Sequence, residues 1–179
     1  MRDYSDNKIV VPRFNEENGF YTSTERSKLM GKIKGLDTKP ELKLRKALWK
    51  LGYRYRKNVR NLPGTPDIVI KKVKLIIFVD GGFWHGFNWE EKKYKIKTNR
   101  DFWIPKIERN MQRDKSVTQK FEGEGWQVIR LWEHEIKNDF ENCISNCLNL
   151  IFDSIKHEFY HCKLDHSLTS FRLKFKVFA

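Results

Sequence analysis

The chain has 179 residues, enough for one domain with a sizeable core, and its 36 Lys and Arg against 23 Asp and Glu leave a formal net charge of +13. A content of 39% hydrophobic and 14% aromatic residues excludes a disordered chain, and the longest apolar run, residues 75–79, falls far below the roughly 20 residues of a membrane span. Three cysteines are an odd number and too few for a disulfide framework, and no apolar run opens the chain, so no membrane and a cytoplasmic setting are expected. An excess of +13 points to a polyanionic partner, nucleic acid first, with a solubilising basic surface as the plainer alternative.

In chain order, residues 1 to about 22 show no periodicity and read as an irregular arm. Residues 23–27 lead into a basic helical stretch over 28–34, broken by Gly35 and Asp37-Thr38. Thr38 with Glu41 three residues on has the form of a capping box, and Pro40 falls in the first turn. Leu44, Ala47, Leu48 and Leu51 then recur at helical spacing until Gly52. Residues 53–56 alternate like an edge strand, 62–66 form a turn, and 67–70 are a short β-prone run. Leu75–Asp80 is the strongest strand, and its continuous apolar residues predict cover on both faces. A polar excursion over 83–100 precedes a helix over 102–121, stopped by Gly123 and Gly125. Residues 126–132 make another strand, 136 to about 162 are helix-compatible throughout, and 171–178 alternate. This order predicts a single α/β domain built on a central mixed β-sheet flanked by helices.

Asp67 opens one strand after Pro66, and Asp80 closes the next. Carboxylates at adjoining strand ends are how a sheet gathers oxygen ligands for a hard cation such as Mg²⁺, which activates water and neutralises charge on a phosphate. The bland reading of an Asp after a proline is turn chemistry. Beyond the core strand, Asp80-Gly81-Gly82-Phe83-Trp84-His85-Gly86 joins two flexible glycines to two large aromatics and a histidine able to act as general acid or base near neutral pH. Exposed Phe and Trp beside basic residues can stack on bases or wedge between them; the competing reading is core aromatics and a structural histidine. Cys143-x₃-Cys147 and His157-x₃-His161 have the form of zinc-ligand pairs, but a continuous helix would hold them about 21 Å apart, at about 1.5 Å per residue, too far for one ion.

Arg26-Ser27-Lys28-Leu29-Met30, Asp37-Thr38-Lys39-Pro40-Glu41, Leu62-Pro63-Gly64-Thr65-Pro66-Asp67, Phe83-Trp84-His85, Asp101-Phe102-Trp103, Lys106-Ile107-Glu108-Arg109-Asn110 and Gly125-Trp126-Gln127-Val128 occur in this order. Together they make residues 24–137 resemble the very short patch repair endonucleases, the mismatch-nicking branch of the PD-(D/E)xK superfamily with its restriction-endonuclease-like fold. The resemblance sets apart residues 1–23 as an N-terminal arm and 138–179 as a C-terminal helical extension and tail. It implies an Mg²⁺-dependent endonuclease that nicks double-stranded DNA at or near T·G mismatches. By position, Asp67 would be the essential metal ligand, joined by the main-chain carbonyl of Val79, and Asp80 would add a carboxylate where the family has a histidine. His85 would be the general acid/base, Glu41 would hold a water beside the ion, and Asp114 would support the histidine. Phe83, Trp84 and Trp103 would wedge into the duplex, while basic residues including Lys28, Lys32, Arg109 and Arg113 would hold its phosphates. The resemblance further implies a monomer, with a cytosine DNA methyltransferase system or repair proteins as possible partners.

At the positions of the family's structural zinc this chain has Gly82, Phe87, Trp89 and His134. Only the histidine could ligate, so no zinc is expected there, and packing by Phe87 and Trp89 is expected to take over its anchoring role. Gly82, a position without a side chain beside the active centre, keeps a catalytically weakened DNA-binding relative in view. Within the enzyme class the alternative is a restriction-type endonuclease on matched DNA, and the plainest non-enzymatic one is a basic structural protein of a ribonucleoprotein.

Overall fold

The computed structural model describes residues 8–33 and 35–164, with side chains as far as residue 156. The alternating run at 171–178 and the His157 and His161 side chains lie outside the described residues. Ser23 caps the first helix by accepting the Arg26 N–H at 3.2 Å, so α1 (Thr24–Gly31) begins four residues ahead of the expected basic stretch. α1 buries none of its residues. Thr38 caps α2 (Lys39–Lys50), whose Leu44 and Leu48 are fully buried.

Four strands follow among the described residues: β1 (Arg56–Lys57), β2 (Ile68–Ile70), β3 (Leu75–Asp80) and, after two helices, β4 (Gln127–Trp132). They form one sheet in the order β1-β2-β3-β4, antiparallel except for the β3–β4 pair. β1 is shorter than the 53–56 alternation predicts, because these residues serve the return from α2. Tyr53 donates its N–H to Leu48 C=O at 3.0 Å, and the Tyr53 and Tyr55 rings pack on the core.

β3 is covered on both faces, as its continuous apolar run predicts. Ile68, Ile70, Leu75 and Ile77 pack with α2 and with the last two helices, α5 (Glu133–Asn138) and α6 (Phe140–Leu164). Val69, Ile76 and Phe78 face the other way, onto Val117 and Phe121 of α4 (Arg100–Gly123). The polar excursion over 83–100 is not irregular throughout, since a short helix, α3 (Trp89–Lys92), interrupts it and buries Trp89. The helix-compatible stretch after residue 136 divides at Asp139, whose φ of −138° ends α5 and whose carboxylate accepts the Asn142 N–H at 3.4 Å to start α6. A side chain that bonds its own backbone can end one helix and cap the next, and helical periodicity does not register it.

α6 contributes Cys143, Ile144, Cys147 and Ile151 to the same core, so this part of α6 is packed into the domain. Burial pushes the Cys147 thiol up to about 12 and also raises Cys143, which suits small core residues rather than reactive thiols. No helix among the described residues is long and apolar enough to cross a membrane.

The turn before β2 depends on one glycine. Gly64 has φ +71°, and a Cβ on it would lie 2.9 Å from Val117 Cγ1 and 3.3 Å from the Phe78 ring. Gly64→Ala is expected to lower stability by about 2 kcal/mol, a usual magnitude for overpacking joined to left-handed backbone strain. Urea unfolding measures this, and an unchanged midpoint would contradict it.

Candidate active site

The strand alternation that buries Val69, Ile76 and Phe78 under α4 gives Asp67 and Asp80 the same parity. Gly64 and Thr65, both at positive φ (+71° and +52°), turn the chain into Pro66 and set Asp67 at the entry to β2. One Asp67 oxygen accepts the Val79 N–H of the neighbouring strand at 2.8 Å. Burial pushes the Asp67 carboxyl up to about 6; Glu41 and Asp80 push the same way, against the Val79 N–H and the Arg45 charge. A carboxylate whose ionisation is resisted by burial and by two neighbouring acids is suited to a cation.

Glu41 enters from the first turn of α2. Its carboxylate accepts the Thr38 hydroxyl at 2.8 Å, the Asp37 N–H at 3.1 Å and Arg45 Nη2 at 2.6 Å. Arg45, one helical turn on, also pairs with Asp37 and donates to Asn58 Oδ1 at 3.0 Å. Glu41 therefore stands fixed at the cleft that His85 also borders, with its charge compensated.

His85 follows a loop that α4 holds in place. Asn110 Nδ2 donates to Trp84 C=O at 3.0 Å, and Trp89 Nε1 donates to Glu108 at 3.3 Å. Gly86, at φ +73°, lies so near Met111 that a Cβ would fall 2.3 Å from its sulfur. His85 Nδ1 is 2.6 Å from Asp114 Oδ2 and 3.4 Å from Asp80 Oδ1. Burial works to raise the Asp114 carboxyl, but the His85 hydrogen bond and the Arg130, His85 and Arg113 charges outweigh it and hold the group below the usual carboxylate range. An ionised Asp114 can only accept, so Nδ1 carries the proton and Nε2 is left for exchange with water or substrate. Arg130 of β4 closes this network. It donates to both Asp80 oxygens, at 2.6 and 2.9 Å, approaches Asp114 Oδ1 at 3.3 Å and lies 4.4 Å over the Phe78 ring. The cation that Asp80 meets in this structure is thus the Arg130 guanidinium, whereas among the described residues Asp67 accepts the Val79 N–H and feels Arg45 only at longer range.

Among the described residues no three acidic, His or Cys side chains cluster closely enough to make a metal cage. The donor set at Asp67 nonetheless fits Mg²⁺, which takes hard oxygens, uses one or two carboxylates and keeps several waters. The Asp67 carboxylate and the Val79 main-chain carbonyl on the adjoining strand would hold it.

Phe83, Trp84 and Trp103 touch one another edge to face, with ring centroids 5.2 to 5.8 Å apart, and Phe83 is 48% exposed. Phe83, Trp84, Asp67, Glu41, His85 and Asp114 border one open cleft of about 670 Å³, with Met30, Ile33 and Arg113 also at its walls. Lys28 and Lys32 are exposed on and just after α1, and Arg109 sits half-buried on α4. At the positions compared with a zinc site, the Phe87 ring packs 4.2 Å from His134 and 5.1 Å from Trp132. A Cβ on Gly82 would meet Phe87 Cβ at 3.5 Å, so a side chain there would start toward that aromatic cluster. Arg130 belongs to the site and was not singled out from the sequence; Asn110 stood only within a block that carries the resemblance, and Arg45, which reads from the sequence as one of the basic residues on the outer face of α2, is buried. Glu41 and Arg45 at i,i+4 carried a local signal, as did an arginine in the otherwise apolar strand around Ile129 and Leu131.

Comparison with known proteins identifies a family. The model of the family described as DNA mismatch endonuclease Vsr matches residues 18–91. The chain is similar to the Type II nicking enzyme V.NmeDIP of Neisseria meningitidis serogroup C, with 47% identity over 132 residues that cover 74% of this chain and 89% of that protein. It is 51% identical to the Type II nicking enzyme V.HpaIIP of Haemophilus parainfluenzae over 116 residues, 64% of this chain and 82% of the relative. With the DNA mismatch endonuclease Vsr of Escherichia coli (strain K12) it shares 35% identity over 109 residues, 60% of this chain and 69% of that one.

Proposed function

The chain belongs to the Vsr family of DNA endonucleases, and from that premise we propose that it nicks one strand of double-stranded DNA at or near T·G mismatches, with Mg²⁺ as cofactor. The observation that carries this reading is a single cleft bordered both by a hydrolytic set (Asp67, Glu41 and the His85–Asp114 pair) and by the exposed Phe83 ring with the half-buried Trp84 beside it, rings able to enter a base stack. Bound Mg²⁺ would neutralise charge on the phosphate and lower the pKa of water near it. Hydrolysis adds a water oxygen to phosphorus and breaks one bridging P–O bond. His85 moves the proton at Nε2, because Asp114 holds Nδ1–H and fixes the ring. Glu41, already held by Arg45 and Thr38, orients water in the same cleft. Entry of Phe83, Trp84 and Trp103 between bases costs a few kcal/mol of unstacking and least where pairing is already weak, which favours a mismatch. Exposed Lys28, Lys32 and Arg113, with Arg109, fix the duplex through its phosphates without reading sequence.

The test is nicking of defined duplexes, T·G and fully matched, in Mg²⁺ with wild type and Asp67→Ala. Wild type is expected to cut the T·G strand and spare the matched duplexes, and Asp67→Ala to lose at least about 100-fold, the scale of a removed charge-stabilising group. No cutting by wild type, or equal cutting by both proteins, refutes the assignment. Equal cutting of matched and mismatched DNA by wild type alone would instead identify a restriction-type enzyme.

A further inference from the structure

The arm before α1 has no part in the chemistry above, yet its described residues are tied to α4 and the residue before it. Residues 13–20 staple themselves into a loop. Asn18 Nδ2 donates to Arg13 C=O at 2.8 Å, Asn15 Oδ1 accepts the Asn18 N–H at 3.2 Å, and the Phe20 N–H reaches Asn15 C=O at 3.1 Å. The loop turns Phe14 and Phe20 to the same side, stacked at 5.7 Å, and both contact Phe102 in the first turn of α4, at 4.8 and 5.6 Å. Phe102 meets Trp103 edge to face at 5.0 Å, and Trp103 meets Phe83 at 5.5 Å and Trp84 at 5.8 Å. Six rings thus run unbroken from the arm to the cleft, buried at Phe20 (8% exposed) and open at Phe83 (48%).

The arm is also tied to α4 beyond its rings. Asn99, the residue before that helix, donates to Tyr21 C=O at 2.7 Å, and the Ile9 N–H reaches Gln112 Oε1 at 3.2 Å. Phe20 belongs to neither core cluster, so what its burial fixes is the start of α4, where Phe102 and Trp103 sit. We infer that the arm is the buttress of the aromatic wedge, with Phe20 a positioning residue that, through Phe102, keeps Trp103 and Phe83 in place as they displace stacked bases. This rests on the wedge reading given above. Rings that push bases apart meet a restoring force along the wedge, and a tip backed only by a loop would yield to it.

The full-length protein tests this on a T·G duplex carrying 2-aminopurine beside the mismatch, whose fluorescence rises when it is unstacked. Phe20→Ala is expected to reduce that rise to less than half and the T·G nicking rate about tenfold. Nicking of a duplex with an abasic site opposite the thymine, where stacking is already lost, should change less than twofold. Phe20→Leu should restore most of the signal, and Phe14→Ala, at a more exposed ring, should reproduce the loss more weakly even if Phe20→Ala folds poorly. Equal loss on both duplexes would mean a structural role only and overturn the inference. So would an intact fluorescence rise in Phe20→Ala while Phe83→Ala lacks one, an outcome that leaves the wedge itself standing. If Phe83→Ala also unstacks the base normally, the wedge reading fails and takes the buttress with it.

Discussion

Asp67→Asn is expected to make the metal-free protein more stable at pH 8 while abolishing nicking. Asp67 is pushed up to about 6 from an ordinary 3.8, chiefly by burial, with Glu41 and Asp80 adding to it. A carboxyl whose folded pKa lies above its unfolded one favours folding in its protonated form. That stability is complete below about pH 3.8, shrinks as pH rises, and is gone above about 6. A shift of about two units corresponds to about 3 kcal/mol, at about 1.4 kcal/mol per unit. Asparagine keeps the shape and can still accept the Val79 N–H, but never carries the buried charge. Its melting temperature at pH 8 should therefore exceed wild type by about 6–12 °C, at about 2–4 °C per kcal/mol, and the two curves should merge below pH 4. Mg²⁺ at this carboxylate would offset the same cost, so the ion should raise the wild-type melting temperature at pH 8 and leave Asp67→Asn unmoved. A melting series from pH 4 to 9 with and without Mg²⁺ measures both. An Asn variant no more stable than wild type at pH 8, or a difference that ignores pH, would sink the argument.

What could be read in the sequence, and what could not, divides along the range of the interactions. α2 was legible because Thr38, Glu41, Leu44 and Leu48 act within two turns, and β3 because its apolar run is continuous. Asp67, Glu41 and His85 were named through the short blocks that carry the family resemblance, each beside a turn or a cap, and the three do border one cleft. Arg130 was not, since its value lies in parallel pairing that brings it beside residue 80, fifty positions earlier in the chain. Asp80 accordingly read as a spare carboxylate for a cation, when a guanidinium stands against both its oxygens. The arm was unreadable for the same reason: Phe14 and Phe20 have no periodicity of their own, and their place is set by Phe102, more than eighty residues away. Asp139 is the local exception, because one residue that both stops and caps leaves the helical pattern on either side intact.

Arg45→Met is expected to cost about 3–5 kcal/mol of stability, the range for removing one partner of a buried ion pair. The Arg45 and Glu41 side chains are each only 4% exposed and meet at 2.6 Å, so the variant leaves the Glu41 carboxylate buried without its cation. Methionine keeps most of the side-chain volume, which assigns the loss to charge rather than to a cavity. Asp37, half exposed and also near Lys57, should contribute little. Adding Glu41→Gln to Arg45→Met removes the stranded charge and should restore more than half of the lost stability, although nicking stays low because the water-orienting carboxylate is gone. Arg45 also pulls the Asp67 carboxyl down while Glu41 pushes it up. The single variant should therefore shift the rise of its residual nicking to higher pH, and the double variant should bring it back toward wild type. Urea unfolding and pH–rate profiles of the two variants check this together. A double variant no more stable than the single one would show that the pair's worth lies in packing, and would leave Glu41 a structural cap on α2 rather than a held catalytic group.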